Sequence, residues 1–305
     1  MNKPKITVVG SSNTDLICRV PRIPRSGETI LGKYFFTVQG GKGANQAVAA
    51  ARAGGQVTFI ACVGNDNYGR NAIEAYRKEG IDTDCIQIID GVATGVALIN
   101  VTESGENSIS VAPGANSRLT PNIVENCRRV ILQSDVILVQ LEIPIETVYY
   151  VVELGYKANI PVVVNPAPAQ KIETRILKQI TLITPNENES YLLTGLDENF
   201  DGIGQCAMEL QRQGTQTVII TLGSKGAYYL DNEQSGIVEG IAVKAVDTTA
   251  AGDTFNGYLA VALAQGKPIH EAITIANRAA ALSVTRLGAQ SSIPFMNDVY
   301  PHLIN

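Results

Sequence analysis

The sequence contains few of the features that mark nucleic-acid-binding and membrane-associated proteins. Its 305 residues carry a formal net charge of −5, and its 24 lysines and arginines are scattered along the chain. No dense basic patch is therefore available to replace the counterions of a nucleic acid. The missing stripe of Lys and Arg also argues against binding to a membrane surface. We expect neither nucleic acid nor a membrane as a partner.

Long apolar runs and a secretory leader are missing as well. The longest apolar runs, such as 136–141 and 160–164, have the length of strands, whereas a helix needs roughly 20 apolar residues to span a bilayer. The first residues, MNKPKITVVG, lack the apolar region and the cleavage site of a signal peptide. These absences predict a protein that stays in the cytoplasm.

Cysteine and histidine are scarce, which limits the chemistry available to the protein. Five cysteines, at positions 18, 62, 85, 127 and 206, are widely spaced without a C-x-x-C motif. This pattern is typical of reduced thiols and not of a disulfide framework or a zinc site. The two histidines are His270, where a helix is predicted to begin, and His302 in the tail. Neither lies in a recognised motif, so we expect no histidine-based catalysis.

What the chain does contain is an alternation of short β-branched runs with helical patterns, at 45% hydrophobic composition. This alternation predicts an α/β fold with a mostly parallel central sheet and helices on both faces. Ligands bind at the carboxyl ends of the strands in such sheets. Polar motifs such as VVGSSNTD, QLE and LITPNE follow directly after strands, so we expect them to meet at one edge. The predicted strands are 6–9, 57–63, 136–141, 162–164, 182–184 and 218–221.

Two stretches, at about 14–38 and 94–112, alternate polar and apolar residues between turn formers. We interpret them as antiparallel strands of a small lid, inserted into a single domain of residues 1–305. The edge strands of such a lid leave backbone N–H and C=O groups unpaired. Pairing with the lid of a second copy satisfies them, so we expect a homodimer. An aromatic cluster of Tyr34, Phe35 and Phe36 is a candidate for that contact.

The segment DTTAAGDTFNG at 247–257 places Asp253 at the start of a predicted helix that continues through 254–264. Backbone amides of Ala250, Ala251 and Gly252 would point at an anion there, because the first turn of a helix has donors without intrahelical partners. Asp253 is then the candidate base for phosphoryl transfer. The alternative is an ordinary capped helix whose Asp253 binds backbone donors, and the motif by itself favours that alternative.

A second glycine-rich turn, GGKGANQAVAAARAGG at 40–55, also leads into a predicted helix. It is not a Walker loop, because Gly-Lys is not followed by Ser or Thr. It is not the dinucleotide-binding motif G-x-G-x-x-G either, because the third glycine is absent. Its glycines allow a polar ligand to approach the main chain, and Asn45 offers a donor and an acceptor to hydroxyl groups. A flexible turn with a solvated Lys42 is an equally good interpretation of this segment alone.

Together, GGKGAN and DTTAAGDTFNG resemble the two signature motifs of the PfkB carbohydrate kinase family, in its ribokinase branch. The resemblance extends in order through almost the whole chain. It includes VVGSSNTDL at 8–16, GETI at 27–30, FIACVGND at 59–66, TGVALI at 94–99, QLE at 140–142, NPAPA at 165–169, ITPNENE at 183–189, TLGSKGA at 221–227 and VTRLGAQSS at 284–292. One departure is Ala250, where many members carry glycine.

The resemblance implies a ribokinase-like fold and transfer of the γ-phosphoryl group of ATP to the 5-hydroxyl of D-ribose. Asp253 would orient that hydroxyl and accept its proton, while the amides of 250–252 hold the phosphoryl charge. A turn at a strand end is the alternative for Asn13 and Asp15, and it is weaker when Glu142 and Asn45 must also be explained. A capping charge beside Pro144 is the less favoured alternative for Glu142. The implied sugar ligands are Asn13, Asp15, Gly41, Lys42, Asn45, Ala97, Ile109 and Glu142.

The resemblance also implies a nucleotide site, with Mg²⁺ near the phosphates, and a site for K⁺ as a monovalent activator. Without the resemblance, the PNENE segment is typical of a polar loop that begins a helix. The implied nucleotide residues are Asn186, Glu189, Thr221, Gly223, Gly226 and Asn277. The implied potassium residues are Asp247, Thr249, Ser283, Arg286, Gly288 and Ser292.

Three alternatives to a ribose kinase stay open at this point. A kinase for 2-deoxyribose or another pentose is the nearest. By the resemblance, Asn13 favours ribose, because ribose-preferring members tend to carry asparagine at this position and deoxyribose-preferring members an apolar residue. A nucleoside kinase would need an apolar lid surface to cover a base. A sugar-binding regulator without catalysis would have lost Gly252 or Asp253, and both are present.

Overall fold

The computed structural model describes residues 3–198 and 202–299, so part of the predicted 1–305 domain, including His302, lies outside the described residues. The strands are β1 Lys5–Val9, β2 Asn13–Arg19, β3 Tyr34–Gly40, β4 Gln56–Gly64, β5 Ile86–Ile89, β6 Gly95–Val101, β7 Asn107–Ala112, β8 Val136–Gln140, β9 Val162–Asn165, β10 Leu182–Ile183, β11 Thr217–Thr221, β12 Gly226–Leu230 and β13 Ser235–Glu239. The helices are α1 Lys42–Arg52, α2 Asn67–Lys78, α3 Pro121–Asn126, α4 Arg128–Ile131, α5 Ile145–Ala158, α6 Thr174–Leu177, α7 Glu187–Thr194, α8 Ile203–Arg212, α9 Ala251–Ala264, α10 Ile269–Ser283 and α11 Met296–Val299.

The main sheet has nine strands in the order β13-β12-β11-β10-β9-β8-β1-β4-β5. All neighbours from β11 to β5 are parallel, whereas β12 and β13 add an antiparallel hairpin at one edge. The six predicted strands are confirmed as β1, β4, β8, β9, β10 and β11. In the described ranges, every helix is too short or too polar to cross a lipid bilayer.

The strands are apolar at successive positions because both faces of the sheet are covered. Val8 and Phe59 belong to a core cluster on one face, packed with Tyr258 of α9. The next residues along the same strands, Val9 and Ile60, belong to a second cluster on the opposite face. Successive side chains of a strand point to opposite faces, so a continuous apolar run fills two cores at once.

A second sheet of four strands, in the order β3-β2-β6-β7, forms the lid. Its outer pairs are antiparallel, as predicted, but its central pair β2 and β6 runs parallel. The reason is that both strands follow a strand of the main sheet, β1 and β5 respectively, and so leave the same carboxyl edge in the same direction.

The aromatic residues of the lid do not form one cluster. Tyr34 stacks with Phe36, with ring centroids 6.2 Å apart, whereas Phe35 between them points to the other face of the strand. The pairing register places Phe36, Ile17, Ile99 and Ile109 side by side across the four strands on the face that also carries Asp15. The lid therefore has an apolar row on one face.

Helices α1 and α9 approach each other closely at Gly257. A Cβ atom on Gly257 would lie 2.4 Å from the Cβ of Ala49 and 2.8 Å from the carbonyl oxygen of Gln46. Only a residue without a side chain fits there. The contact brings the glycine-rich turn before α1 next to the first turn of α9, which are the two motifs that the sequence analysis identified.

We predict that Gly257→Ala destabilises the protein by about 1–3 kcal/mol, because the added methyl group must push α1 away from α9. Urea denaturation measures this change. Gly204→Ala in α8 is the matched control, since its Cβ would be 3.5 Å from the nearest atom, the hydroxyl oxygen of Tyr228. The control should be neutral or stabilising by up to about 1 kcal/mol. Equal effects of the two substitutions would contradict the close packing.

Candidate active site

The carboxylate of Asp253 lies at the meeting point of α1 and α9. Asp253 stands in the first turn of α9 and is 7% exposed. Its Oδ2 accepts a hydrogen bond of 2.9 Å from Nδ2 of Asn45, and its Oδ1 accepts one of 2.9 Å from Nε2 of Gln46. Both donors come from the first turns of α1. The predicted base and the predicted sugar ligand Asn45 therefore belong to one site.

A buried network of amides fixes the side chain of Gln46. Its Nε2 also donates to Oδ1 of Asn165 at 3.0 Å, and its Oε1 accepts from Nε2 of Gln140 at 2.6 Å. Asn165 in turn donates to the carbonyl oxygen of Thr184 at 3.0 Å. The network joins the ends of three strands to Asp253. It holds the carboxylate in one orientation, as a general base requires.

Ala250, the residue that departs from the family motif, has a left-handed backbone with φ 60° and ψ 14°. A residue with a Cβ atom pays roughly 1–2 kcal/mol in this conformation, whereas glycine does not. The geometry thus explains why glycine is common here. Among the described residues, the backbone amides of 250 and 252 have no hydrogen-bond partner. The amide of Ala251 makes a long bond of 3.3 Å to the carbonyl oxygen of Thr248.

These amides line a polar cavity of about 210 Å³ that also contains the side chains of Lys42, Glu189 and Asp253. Burial by itself lowers the pKa of Lys42, but the carboxylates of Asp253, Glu142 and Glu189 outweigh it and raise the pKa above its usual range. Lys42 is therefore a cation held among carboxylates. A cavity with free amides and a buried ammonium group is suited to an anionic group such as a phosphate.

Asn186 and Glu189 form a capping box at the start of α7. Oδ1 of Asn186 accepts from the amide of Glu189 at 2.8 Å, and Oε2 of Glu189 accepts from the amide of Asn186 at 2.9 Å. Burial raises the pKa of Glu189. The described residues contain no cluster of three or more His, Cys, Asp or Glu side chains suited to a metal. One carboxylate at a phosphate cavity does fit Mg²⁺, which usually takes its other ligands from water and phosphate oxygens.

A larger and mainly apolar cavity of about 370 Å³ opens beside the polar one. The two cavities share Thr221, Thr248, Ala251 and Gly252 as lining residues. The apolar walls of the larger cavity were not predicted from the sequence. They include Ile241, Val243, Phe255, Ala280 and Val284. The residues predicted for the nucleotide that line it are Thr221, Gly223, Gly226 and Asn277.

On the lid side of Asp253, the carboxyl group of Asp15 is buried without a hydrogen-bond donor from the described residues. It lies against Gly40, where a Cβ atom would be 2.3 Å from Oδ1. Burial, together with the nearby charges of Glu142 and Asp253, raises the pKa of Asp15 to about 6. Oε2 of Glu142 accepts from Oγ of Ser11 at 2.5 Å and from the amide of Lys42 at 3.0 Å.

Three of the other predicted sugar ligands lie close to Asp15 or to its strand β2. Asn13 is 4% exposed at the start of β2, and Ala97 is the cross-strand neighbour of Asp15 on β6. Gly41 has φ 91°, and a Cβ atom on it would lie 2.8 Å from the amide nitrogen of Asn13. Ile109 stands apart on the outer strand β7, where it is 55% exposed. The register places it on the face of Asp15, two strands away.

The residues predicted for K⁺ are only partly brought together. Oδ1 of Asp247 accepts from the amide and the hydroxyl of Thr249, at 2.9 and 2.6 Å, and Oδ2 accepts from the amide of Gly288 at 2.9 Å. Burial raises the pKa of Asp247, but these hydrogen bonds outweigh it and lower the pKa below its usual value. The carbonyl oxygen of Ser283 accepts from the amide of Arg286, and Ser292 donates to Ala289.

A family model described as pfkB family carbohydrate kinase matches residues 3–296. The chain belongs to the PfkB family of carbohydrate kinases. It is 46% identical to a ribokinase of Haemophilus influenzae over 95% of each chain, and 36% identical to a deoxyribokinase of Salmonella typhi over 98% of each. The structure of Arabidopsis thaliana ribokinase complexed with ribose and ATP is similar with a TM-score of 0.93 and 33% identity, over 100% of each chain.

In this PfkB-family site, the residues that act through hydrogen bonds to other side chains were not predicted from the sequence. Gln46 directly follows Asn45 in the same glycine-rich motif, and this position was a usable signal. Asn165 stands in the quoted NPAPA segment but had no role assigned. Gln140 stands in the quoted QLE segment but also had no role assigned, because a polar residue at the end of a strand does not reveal its partner.

The raised pKa of Asp15 predicts a pH-dependent stability. The unfolded carboxyl ionises near pH 3.8 and the folded one near pH 6, so the unfolded state releases its proton first as pH rises. Stability therefore falls between about pH 4 and pH 6 and is lower by a constant amount above that range. Asp15→Asn removes the titrating group, so it should gain stability over the wild type through this window, by on the order of 3 kcal/mol at pH 7.

Urea denaturation of both proteins at pH values from 4 to 8 measures this difference. A stability difference between Asp15→Asn and the wild type that stays constant with pH would show that the Asp15 carboxyl is not perturbed.

Proposed function

We propose that this PfkB-family protein is an ATP-dependent sugar kinase that phosphorylates the 5-hydroxyl of D-ribose, giving ribose 5-phosphate. One observation carries this proposal. The buried carboxylate of Asp253 is hydrogen-bonded to Asn45, lies near Asp15, and lines a polar cavity that shares walls with an apolar pocket. A base between an acceptor site and a phosphate site is the arrangement that phosphoryl transfer requires.

In the proposed reaction, Asp253 accepts the proton of the attacking hydroxyl while Asn45 and Gln46 hold its two oxygens in place. Oδ1 of Asn45 is buried and has no hydrogen-bond partner among the described residues, so it is available to accept from a hydroxyl of the sugar. The amides of 250–252 donate to the charge that develops on the transferred phosphoryl group. Each such donor is typically worth about 3 kcal/mol in the transition state.

In this arrangement, the adenine ring of ATP binds in the apolar pocket and its phosphates bind in the polar cavity. Mg²⁺ bound with Glu189 and the Asn186 turn nearby would neutralise phosphate charge, and Lys42 supplies a further positive charge. For K⁺ we propose the six residues predicted above. Among them, Asp247 accepts hydrogen bonds from Thr249 and Gly288 that order the turn before α9.

We further propose that the chain acts as one ribokinase-like unit of residues 1–305, with the lid as an insertion, and assembles as a homodimer through its lid. The apolar row of Ile17, Phe36, Ile99 and Ile109 is partly exposed in a single chain, and a second lid would cover it. Light scattering at micromolar concentration should give the mass of two chains. A location in the cytoplasm stays a prediction from the sequence.

A 2-deoxyribose kinase is the second candidate, and the deoxyribokinase relative supports keeping it. It differs from the main proposal in the acceptor only. Asn13, a polar residue beside the acceptor site, favours ribose, because an amide can bond to a hydroxyl that deoxyribose lacks. A regulator without catalysis is disfavoured, since Asp253 is present and held by two amide donors.

The test of the proposed function is ATP-dependent phosphorylation of ribose, 2-deoxyribose, fructose and adenosine, each assayed with K⁺ and with Na⁺. We expect the highest kcat/KM with ribose, and higher turnover with K⁺. Turnover confined to another acceptor would replace the substrate, and equal rates in both salts would remove the K⁺ site. Sugar binding without turnover of any acceptor would favour the regulator.

Asp253→Asn should lower kcat for ribose by on the order of 10³-fold or more, because an amide cannot accept the hydroxyl proton. Binding of sugar and ATP should persist, since the amide has the size of the carboxylate and its oxygen still accepts from one of the two donors, Asn45 or Gln46. Steady-state kinetics with isothermal titration calorimetry separates the two effects. Thr254→Ala is the control, because it removes only the bond from Thr254 Oγ1 to the Ala250 carbonyl oxygen. A loss in Asp253→Asn no larger than in the control would refute the proposed base.

A further inference from the structure

The side chain of Asn116 makes its hydrogen bonds to the segment that carries Asn13. It belongs to the turn Gly114–Arg118, directly after the lid, and is 1% exposed. Its Oδ1 accepts from the amide of Ser12 at 2.8 Å, and its Nδ2 donates to Oδ1 of Asn13 at 2.7 Å and to the carbonyl oxygen of Ser12 at 3.3 Å.

These contacts determine the orientation of two side-chain amides in turn. The backbone amide of Ser12 can only donate, so the atom of Asn116 that faces it must be the oxygen. The nitrogen of Asn116 then faces Asn13, and only the oxygen of Asn13 can accept from it. The remaining group of Asn13, the Nδ2 with its two protons, is therefore turned away from Asn116 and has no partner among the described residues.

The space for this pair depends on two glycines. A Cβ atom on Gly95, the cross-strand partner of Asn13, would lie 2.3 Å from both Nδ2 of Asn116 and Oδ1 of Asn13. Gly114 has φ 50°, and a Cβ atom on it would lie 2.4 Å from the carbonyl oxygen of Ala93. A larger residue fits at neither position. Glycine at both positions therefore leaves room for the contact between Asn116 and Asn13.

A cavity beside this pair has Asn13, Asn116 and Glu142 among its lining residues, together with apolar residues such as Leu141 and Ile143. Carboxylates such as Asp15 and Glu142 can only accept from a sugar hydroxyl, whereas a fixed Nδ2 of Asn13 can only donate to it. A hydroxyl that donates to a carboxylate keeps its oxygen free to accept from Asn13. An acceptor without that hydroxyl leaves the donor of Asn13 unpaired, and an unpaired buried donor weakens binding.

We propose that Asn116 is a positioning residue for sugar specificity, which fixes the amide of Asn13 as a donor and so makes the protein distinguish ribose from 2-deoxyribose. Asn116 itself need not touch the sugar. Without it, the amide of Asn13 can rotate and present its oxygen instead, and the penalty for the missing hydroxyl decreases. The inference rests on the proposed function, because discrimination between two sugar acceptors is its kinetic readout.

The decisive variant is Asn116→Asp, which keeps the size of the side chain but has no proton to donate to Asn13 when ionised. Asn13 then turns its nitrogen toward position 116 and its oxygen toward the cavity. We expect the ratio of kcat/KM for ribose to that for 2-deoxyribose to decrease roughly 10-fold, through KM for ribose, with kcat changed less than about threefold. Asn116→Ala should decrease the same ratio, and Asn13→Ala/Asn116→Ala should decrease it no further than Asn13→Ala alone.

Thr147→Val is the matched control for a purely structural role. Thr147 is fully buried and donates from Oγ1 to the carbonyl oxygen of Leu119 at 2.6 Å, just after the turn that holds Asn116, without contacting Asn13. It should lower Tm and leave the ratio unchanged. If the Asn116 variants also lower Tm without changing the ratio, Asn116 is structural only and the proposal is wrong.

A second measurement separates this proposal from the proposed function. In NMR hydrogen exchange of the wild-type protein, the Nδ2 protons of Asn116 should exchange slowly, because they donate to Asn13 and to Ser12. Rapid exchange would overturn the positioning role whichever sugar is phosphorylated. Slow exchange with no turnover of either pentose would instead reject the proposed function and leave the fixed amide of Asn13 in place.

Discussion

The close contact between α1 and α9 is the constraint on which the rest of the site depends. Gly257 removes the side chain that would keep the two helices apart, and the helix starts then lie side by side. Asn45 and Gln46 on one helix reach both oxygens of Asp253 on the other. Two motifs about 200 residues apart in the sequence become one site because a single position has no Cβ atom.

Burial of several like charges is the second property of the site, and it follows from the first. Asp15, Glu142 and Asp253 lie near one another. Burial raises the pKa of Asp15 to about 6, and the charges of the other two carboxylates add to the shift. Carboxylates nearby, including Asp253 and Glu142, stabilise the protonated form of Lys42 and raise its pKa. A ligand with several hydroxyl groups can donate hydrogen bonds to these carboxylates and so offset their mutual repulsion. This agrees with membership of the PfkB family of carbohydrate kinases.

Much of the fold was predictable because periodicity and strand length are local properties of the sequence. The six strands of the main sheet and the helix that begins near Asp253 were predicted within one or two residues. Strand partners were less predictable: the lid was expected to be antiparallel, yet β2 and β6 are parallel. A period of two shows which residues share a face, but it does not show which strand lies alongside or in which direction.

The sequence by itself determined the chemical groups of the site: a carboxylate at a helix start, a glycine-rich turn, and polar residues after strands. It also determined the family, because these motifs occur in the family's order. Only the tertiary structure decided how the groups are oriented, as in the bond from Asn116 to Asn13 and in the amides that hold Asp253. The reason is that a side-chain amide can donate or accept at either end, and the partner that decides between them comes from a distant part of the chain.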